Sequence, residues 1–577
     1  MPTSPFVFHS GIAIVLAIVF ISITASVFSF ISASISLSLY RKTLAKRMAE
    51  HIGASSAVFP DIPPHPAKTN ENKIPGDLYA SIGRQSVLLI YQYAIAAVCF
   101  ALVAASAAFY ALSISQISVL QAARHPLQWL FLFWTFLWPG VLTFNVITLG
   151  GPGKKCSLVA FYFLGLILLA GSLSGLATEV HFSGAFNIPA FSGETPVRMI
   201  TKWLLFNAAP TLLHVVFQAH FVRAVAPLLL AFMVTVSTGL LGLVVATYQY
   251  PDATVMIFVN WANTLGIQVA PALALYSFGL LFLSFSGCGL FGWLLMAKIR
   301  DDYLSHKISD QSLAIDALWL LFSAFYAVIL ALAGIGWAGL ALLAFGVYKF
   351  TSHLASLFFF PLAEKSGNTT TLLVLRVFSL GKRSERLFGK IAKHWRYVGH
   401  IQFITSTDVA LTTIAPHRFL AFISGKLNRC FIKDNDTLQS SLAGIESRPD
   451  RDGRYRINDY FCYADTWQSV LARLVANSSV VFMDLRNFSD QNNGCVYEIA
   501  ELLANVPLSK LVFAIDGTTN TTFLSSTMAA NFAKLTSDSP NFGLTESMIN
   551  YVRLSSSRYP ETDYFIRTIC LAAETNA

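Results

Sequence analysis

The residues best suited to chemistry lie in Val480-Val481-Phe482-Met483-Asp484-Leu485-Arg486-Asn487-Phe488, followed by Asn492-Asn493-Gly494-Cys495-Val496-Tyr497-Glu498-Ile499. The pattern reads as a buried strand ending on Asp484, a polar loop, and a helix that opens near Gly494 with Glu498 in its first turns. Such an arrangement puts carboxylates at the mouth of a sheet, beside a helix N-terminus whose dipole and free amides favour anions. A carboxylate there can hydrogen-bond ribose hydroxyls. It can also stabilise an oxocarbenium-like transition state as an N-glycosidic bond breaks, as carboxylates do in glycoside hydrolysis. Arg486 is placed to hold phosphate. The plainer reading makes Glu498 a favourable acidic residue in the first turn of a helix, and position alone leaves both open.

Other groups invite a chemical reading. Arg448-Pro449-Asp450-Arg451-Asp452-Gly453-Arg454-Tyr455-Arg456 is a dense charged run. Its Asp-x-Asp-Gly lacks the further ligands of a calcium loop. It reads as a solvated turn, or as Arg454 and Arg456 reaching phosphate at the sheet mouth. Within apolar segments, His214 and Gln218 lie four apart with His220 nearby, and Lys349 and His353 are also four apart. Ionisable groups inside a membrane mark functional positions by default, while interhelical hydrogen bonds and snorkelling explain the same residues structurally. No acidic residue is evident in the span interiors, which weakens a proton- or sodium-coupled transporter. Gly334-Ile335-Gly336-Trp337-Ala338-Gly339 matches Gly-x-Gly-x-x-Gly but lies between two apolar segments, so it reads as a tight hairpin. Neither Gly-x-Ser-x-Gly nor His-Glu-x-x-His occurs.

The elements that must position these residues fall into two regions. Residues 368–577 read as an α/β domain. Strands are expected near 372–378, 400–404, 480–484, 510–516 and 551–554. Helices are expected near 384–397, 416–427, 435–445, 465–476, 494–505 and 519–535, with one more at the end. This alternation predicts a Rossmann-like, mainly parallel sheet covered on both faces, with ligand beyond the carboxyl ends of its strands.

Residues 1–367 read as an α-helical polytopic membrane module. The chain is 55% hydrophobic and 12% charged, about half the charge fraction of a soluble protein. Nine spans are expected, near 8–40, 86–112, 127–150, 157–175, 203–221, 224–247, 266–297, 311–333 and 336–360. The segment 203–221 holds Asn207, Pro210, His214, Gln218 and His220 and reads either as a span or as a re-entrant or interfacial segment. Basic clusters follow the apolar runs: Arg41, Lys42, Lys46 and Arg47, then Lys154 and Lys155, then Lys298, Arg300 and Lys307. By the positive-inside rule the N-terminus faces outward and the C-terminal domain is cytoplasmic, in the plasma (inner) membrane. The first apolar run has no basic residue before it, the reverse of a cleavable signal peptide. Lipid retention explains the net charge of +9, and no basic stripe with interleaved aromatics points to nucleic acid. Seven cysteines form no Cys-x-x-Cys pair, so neither a disulfide framework nor a structural zinc site is indicated, and no metal is expected.

The Asp-ended strand, Asn-rich loop and helix bearing Glu498 resemble the corresponding elements of nucleoside 2-deoxyribosyltransferases and of Toll/interleukin-1-receptor-like (TIR-like) domains. In those families a helix glutamate is the key residue for cleaving a nucleoside or NAD glycosidic bond. The resemblance implies that Glu498 is catalytic and that Asp484 and Asn493 line a ribose pocket. It also implies that Ser379-Leu380-Gly381-Lys382-Arg383-Ser384 forms the first strand–loop–helix, where Ser379 and Lys382 hold phosphate or base. Assembly into a homo-oligomer is implied too. The whole C-terminal region also resembles a group of uncharacterised bacterial membrane proteins.

The expected function is a membrane-anchored, nucleotide-responsive protein whose cytosolic TIR-like domain binds NAD or a related nucleotide and cleaves it. No cofactor is required, and the nucleotide is substrate or ligand. The alternatives are a channel or transporter with a non-catalytic nucleotide-sensing domain, in which His214, Gln218 and Lys349 line a path, and a membrane scaffold.

Overall fold

The structure is a computed structural model. It describes residues 30–50, 77–114, 125–182, 195–217, 239, 247, 252–361, 370–376, 382–405, 416–445, 447–554 and 560–575. These fall into two compact units. One is drawn from Met1–Ile35, Ile90–Ser305 and Asp310–Phe359; the other from Ser36–Leu89, His306–Ser309 and Phe360–Ala577.

The first unit is helical; of its first two helices, residues 36–48 and 77–89 belong to the second unit. In chain order the helices are α1 (30–48 as described), α2 (Asp77–Ile114), α3 (Pro126–Phe136), α4 (Trp138–Ile147), α5 (Pro152–Phe182) and α6 (Pro196–Phe217). They continue with α7 (Ile257–Thr264), α8 (Val269–Leu283), α9 (Gly289–Leu304), α10 (Asp310–Ala331) and α11 (Ile335–Phe359). Among the described residues five helices are long and apolar enough to cross a membrane: Leu78–Ile114, Pro126–Ile147, Pro152–Leu173, Asp310–Ala331 and Gly336–Phe359. The expectation of nine spans is therefore not supported; five are seen among the described residues. Those near 86–112, 127–150, 157–175, 311–333 and 336–360 are these helices. Residues 203–217 lie in α6, which contains Pro210 and is not among these five; 218–221 lie outside the described residues. The 266–297 segment is broken by a π-helical turn at Ser284–Cys288. Most of 8–40 and nearly all of 224–247 lie outside the described residues.

Buried polar groups in this unit pair with one another. The Tyr326 hydroxyl donates to Asn207 Oδ1 at 2.9 Å, and Trp319 Nε1 donates to Thr143 Oγ1 at 3.0 Å. Asp316, inside α10, is an acidic side chain that the span reading passed over. It accepts from the Tyr348 hydroxyl at 3.0 Å and pairs with Lys349 Nζ at 2.6 Å. Lys349 is therefore an ion-pair partner between adjacent helices, consistent with packing rather than a path. His353 is exposed one turn on, and His214 is half-buried on α6. Gln218 and His220 lie outside the described residues.

The second unit is a seven-stranded sheet. Its strands are β1 (Thr370–Arg376), β2 (Gly399–Ile404), β3 (Phe431–Ile432), β4 (Ile457–Cys462), β5 (Val480–Asp484), β6 (Leu511–Ile515) and β7 (Asn550–Arg553). The order is β3-β4-β2-β1-β5-β6-β7 and every neighbouring pair is parallel. β1 and β5 are buried along their whole length, as central parallel strands covered on both faces must be. The connecting helices are α12 (Lys382–Trp395), α13 (Pro416–Ile423), α14 (Asn435–Ala443), α15 (Trp467–Ala476), α16 (Asn493–Asn505), α17 (Thr521–Phe532) and α18 (Pro560–Glu574). From β1 the chain passes to β2, then to β3 at the edge, steps back in to β4, and crosses to β5 on the other side of β1. The switch point, where open α/β sheets bind ligands, lies between the carboxyl ends of β1 and β5.

This unit also takes in segments outside 368–577. Tyr40 packs edge-on against Phe422 with ring centroids 5.1 Å apart. Arg567 lies over the Tyr79 ring at 4.9 Å, and Glu574 accepts from the Leu78 amide at 2.6 Å, closing the start of α2. The turn His306–Ser309 is held by the charged run. Asp450 and Arg456 are fully buried and paired at 2.8 Å, and His306 Nδ1 stands 3.2 Å from Asp450. The Ser309 hydroxyl donates to Asp452. Gly453 has φ +74°, and a Cβ there would meet the Phe360 ring at 2.6 Å, so glycine is required. The Asp-x-Asp-Gly spacing thus serves a buried polar turn, and the solvated-turn expectation is corrected.

Candidate active site at the sheet switch point

β5 places Asp484 at its carboxyl end, Cα-paired with Arg376 at the end of β1. The loop beyond is pinned at several points. Asn487 adopts φ +63°, which Asn tolerates, and its amide donates to Thr518 Oγ1 at 3.1 Å. Phe488 is fully buried, and its carbonyl accepts from the Asn520 amide at 3.0 Å. Asn492 Oδ1 accepts the Ser489 amide at 2.9 Å, so it does not cap the helix that follows, and α16 opens without a side-chain cap.

The buried face of α16 is Cys495, Glu498, Ile499, Leu502 and Leu503. Glu498 therefore occupies the centre of an apolar stripe in the second turn. It is not an exposed acid in the first. It is 3% exposed, and its Oε2 has no hydrogen-bond partner among the described residues. Burial pushes its carboxyl up to about 8, against the opposing pull of the Arg376 charge and a hydrogen bond from Cys495. The single thiol proton of Cys495 is shared between Glu498 and the Arg376 carbonyl, which lies 3.8 Å from Sγ, tying the first turn of α16 to the end of β1. A buried, half-unsatisfied carboxyl is costly, and sites that retain one are disproportionately functional.

Asp484 is engaged already. Arg486 folds back on it with Nε 2.7 Å from Oδ1 and Nη2 2.7 Å from Oδ2, a bidentate pair. Arg486 Nη2 also donates to the Arg383 carbonyl at 3.3 Å, which brings the start of α12 to the same mouth. Arg383 in turn reaches Asp516, just beyond β6, at 2.5 Å. Asn493 is the exposed first residue of α16 and Lys382 the first residue of α12. Ser379 lies outside the described residues.

The mouth thus gathers Glu498, Asp484 and Arg486 together with the starts of α12 and α16. Arg454 and Arg456 are elsewhere. They precede β4, so in a parallel sheet they lie at its amino end, opposite Asp484; Arg456 pairs with Asp450, and Arg454 lies over the Tyr397 ring at 5.5 Å. Arg376 went unnoticed in the sequence. The signal was available: a charged residue closing the apolar run 372–375.

Comparison of the chain with protein-family models, with curated proteins and with solved structures gives no match.

Proposed function

We propose that the α/β unit binds a nucleoside or nucleotide such as NAD at the carboxyl ends of β1 and β5 and cleaves its N-glycosidic bond. The observation that carries the reading is the buried Glu498 carboxyl with an unpartnered oxygen, set in an otherwise apolar helix face at the switch point. In the reaction the C1′–N bond breaks and its electron pair goes to the ring nitrogen, which leaves with the base. Water adds its oxygen to C1′ and releases a proton to solvent. Positive charge grows on C1′ and the ring oxygen in between, and ionised Glu498 stabilises it in a site shielded from water. Arg486 holds Asp484 in a fixed orientation. The five helices long and apolar enough to cross a bilayer support a membrane anchor.

The test is release of free base by full-length protein in detergent, at high concentration, with NAD and a panel of nucleosides. Release that depends on Glu498 supports the reading. Ligand-dependent thermal stabilisation without release would instead favour a nucleotide sensor and move the search for activity to the membrane helices. The pH dependence follows from the same group. The working form is the carboxylate, and in the free protein the carboxyl titrates at about 8. kcat/KM is expected to rise roughly tenfold per pH unit up to that point and then level. A profile that falls through the same pH would contradict the carboxylate role.

A further inference from the structure

We propose that the α/β unit rests on the surface of a lipid bilayer by the amino end of its sheet, through an apolar foot at each sheet edge. The chain itself marks this end. Arg456 leads directly into β4, and the run it closes holds the His306–Ser309 turn through Asp450 and Asp452. Asp310, the next residue, opens a helix long and apolar enough to cross a membrane. Phe360, which meets Gly453, directly follows another such helix, ending at Phe359. α18 reaches the Leu508–Lys510 turn at the amino end of β6, and its Glu574 accepts from Leu78, the first residue of a third. Chain suited to lipid therefore leaves the sheet at this one end.

Two loops at the same end expose apolar side chains. One precedes β7, at one edge of the sheet. Its Asn541 is fully buried and pins it to the chain entering β6: Nδ2 donates to the Leu503 and Val506 carbonyls, each at 2.7 Å, and Oδ1 accepts from the Leu508 amide at 2.9 Å. Gly543, at φ +76°, turns the backbone between Phe542 and Leu544. Phe542 and Met548 are 61% and 58% exposed, and Leu544 is exposed as well. Apolar groups displayed on a loop fixed this firmly mark a contact surface. The second loop precedes β3, at the opposite edge, and exposes Ile423 together with Lys426 and Arg429. Apolar side chains flanked by cations suit the headgroup layer, where the former reach the acyl boundary and the latter meet phosphate. The edges lie six strand spacings apart, about 29 Å, and a flat bilayer reaches both at once. The mouth that holds Glu498 is then at the end of the sheet turned away from lipid. The inference is independent of whether that mouth cleaves a glycosidic bond.

The experiment places full-length protein, one copy per nanodisc, in phosphatidylcholine containing a phospholipid with a diazirine close to its headgroup. After illumination, lipid adducts are mapped by mass spectrometry. Tyr497 and Tyr564 are the internal controls, being exposed but set in the early turns of α16 and α18, nearer the carboxyl end of the sheet. Adducts on the peptides bearing Phe542 with Met548, and bearing Ile423, are expected to exceed those on the tyrosine peptides by about fivefold or more. Phe542→Ser combined with Met548→Ser changes only exposed side chains and is expected to bring the first peptide down to the control level. With a third of the lipid anionic, adducts at Ile423 are expected to rise, and Lys426→Glu with Arg429→Glu to remove that rise. Adducts at both loops no more frequent than at the tyrosines overturn the proposal. Cross-links from these loops to a second copy in crowded vesicles, with none to lipid, overturn it too and make this end an interface between copies.

Discussion

Glu498→Gln is expected to lower base release by on the order of 10³-fold, the loss seen when one electrostatic stabiliser is removed, and to make the protein more stable above pH 8. The two effects have one cause. In the folded protein the carboxyl titrates at about 8, against an ordinary value of 4.5, because burial disfavours its charge. Between those values the folded state keeps a proton that the unfolded chain has lost. Its contribution to stability is complete below the ordinary value. It is then lost by about 1.4 kcal/mol per pH unit until the folded group ionises. An amide does not titrate, so the substitution removes this slope. Thermal midpoints from pH 5 to 9 should cross: the variant is no more stable than wild type at the acid end and more stable by several degrees at the alkaline end. Parallel curves would show that Glu498 is not buried as described.

Asp450→Ala is expected to destabilise the α/β unit by about 3–5 kcal/mol, because it removes the carboxylate that pairs with the buried guanidinium of Arg456. Arg456 and Asp450 are both fully buried, and Arg456 Nη2 also reaches the Ile308 carbonyl at 3.5 Å. Burial pushes the Asp450 carboxyl up to about 6 even with His306 and Arg456 beside it. The pair is thus expensive to hold, and halving it is worse than removing it. Arg456→Met added to Asp450→Ala should restore much of the lost thermal midpoint. Equal midpoints for Asp450→Ala and wild type would contradict the burial. By the same argument residues 368–577 expressed alone lack His306–Ser309 and should aggregate, so tests of activity belong on the full chain.

The central strands were legible because β1, β5 and β6 are short apolar runs ending in polar loops, the mark of a buried parallel strand. β4 was not, since Ile457-Asn458-Asp459-Tyr460 has no apolar run. Tertiary contacts compensate: Arg418 stands 3.5 Å from Asp459 Oδ1 and donates to its carbonyl at 3.1 Å. β3, of two residues, is too short for periodicity to show. Glu498 was found by position, yet its decisive property, its phase on α16 with Cys495, Ile499 and Leu502, was also readable at 3.6-residue spacing. Arg456 was misplaced because charge in a loop-like run suggests solvent. Only the fold reveals that its neighbour Asp450 and the 306–309 turn bury it. In the membrane unit, Asp316 escaped notice because one carboxylate hardly lowers the hydropathy of a long apolar helix.

The most direct test of the account is an infrared titration of the protonated carboxyl band in wild type minus Glu498→Gln, in detergent, with and without NAD. The expected difference is a band that bleaches with a midpoint near pH 8 and that bleaches at lower pH once the cationic nicotinamide ring of NAD is bound. A difference band that titrates as an ordinary exposed glutamate, unmoved by NAD, would contradict it.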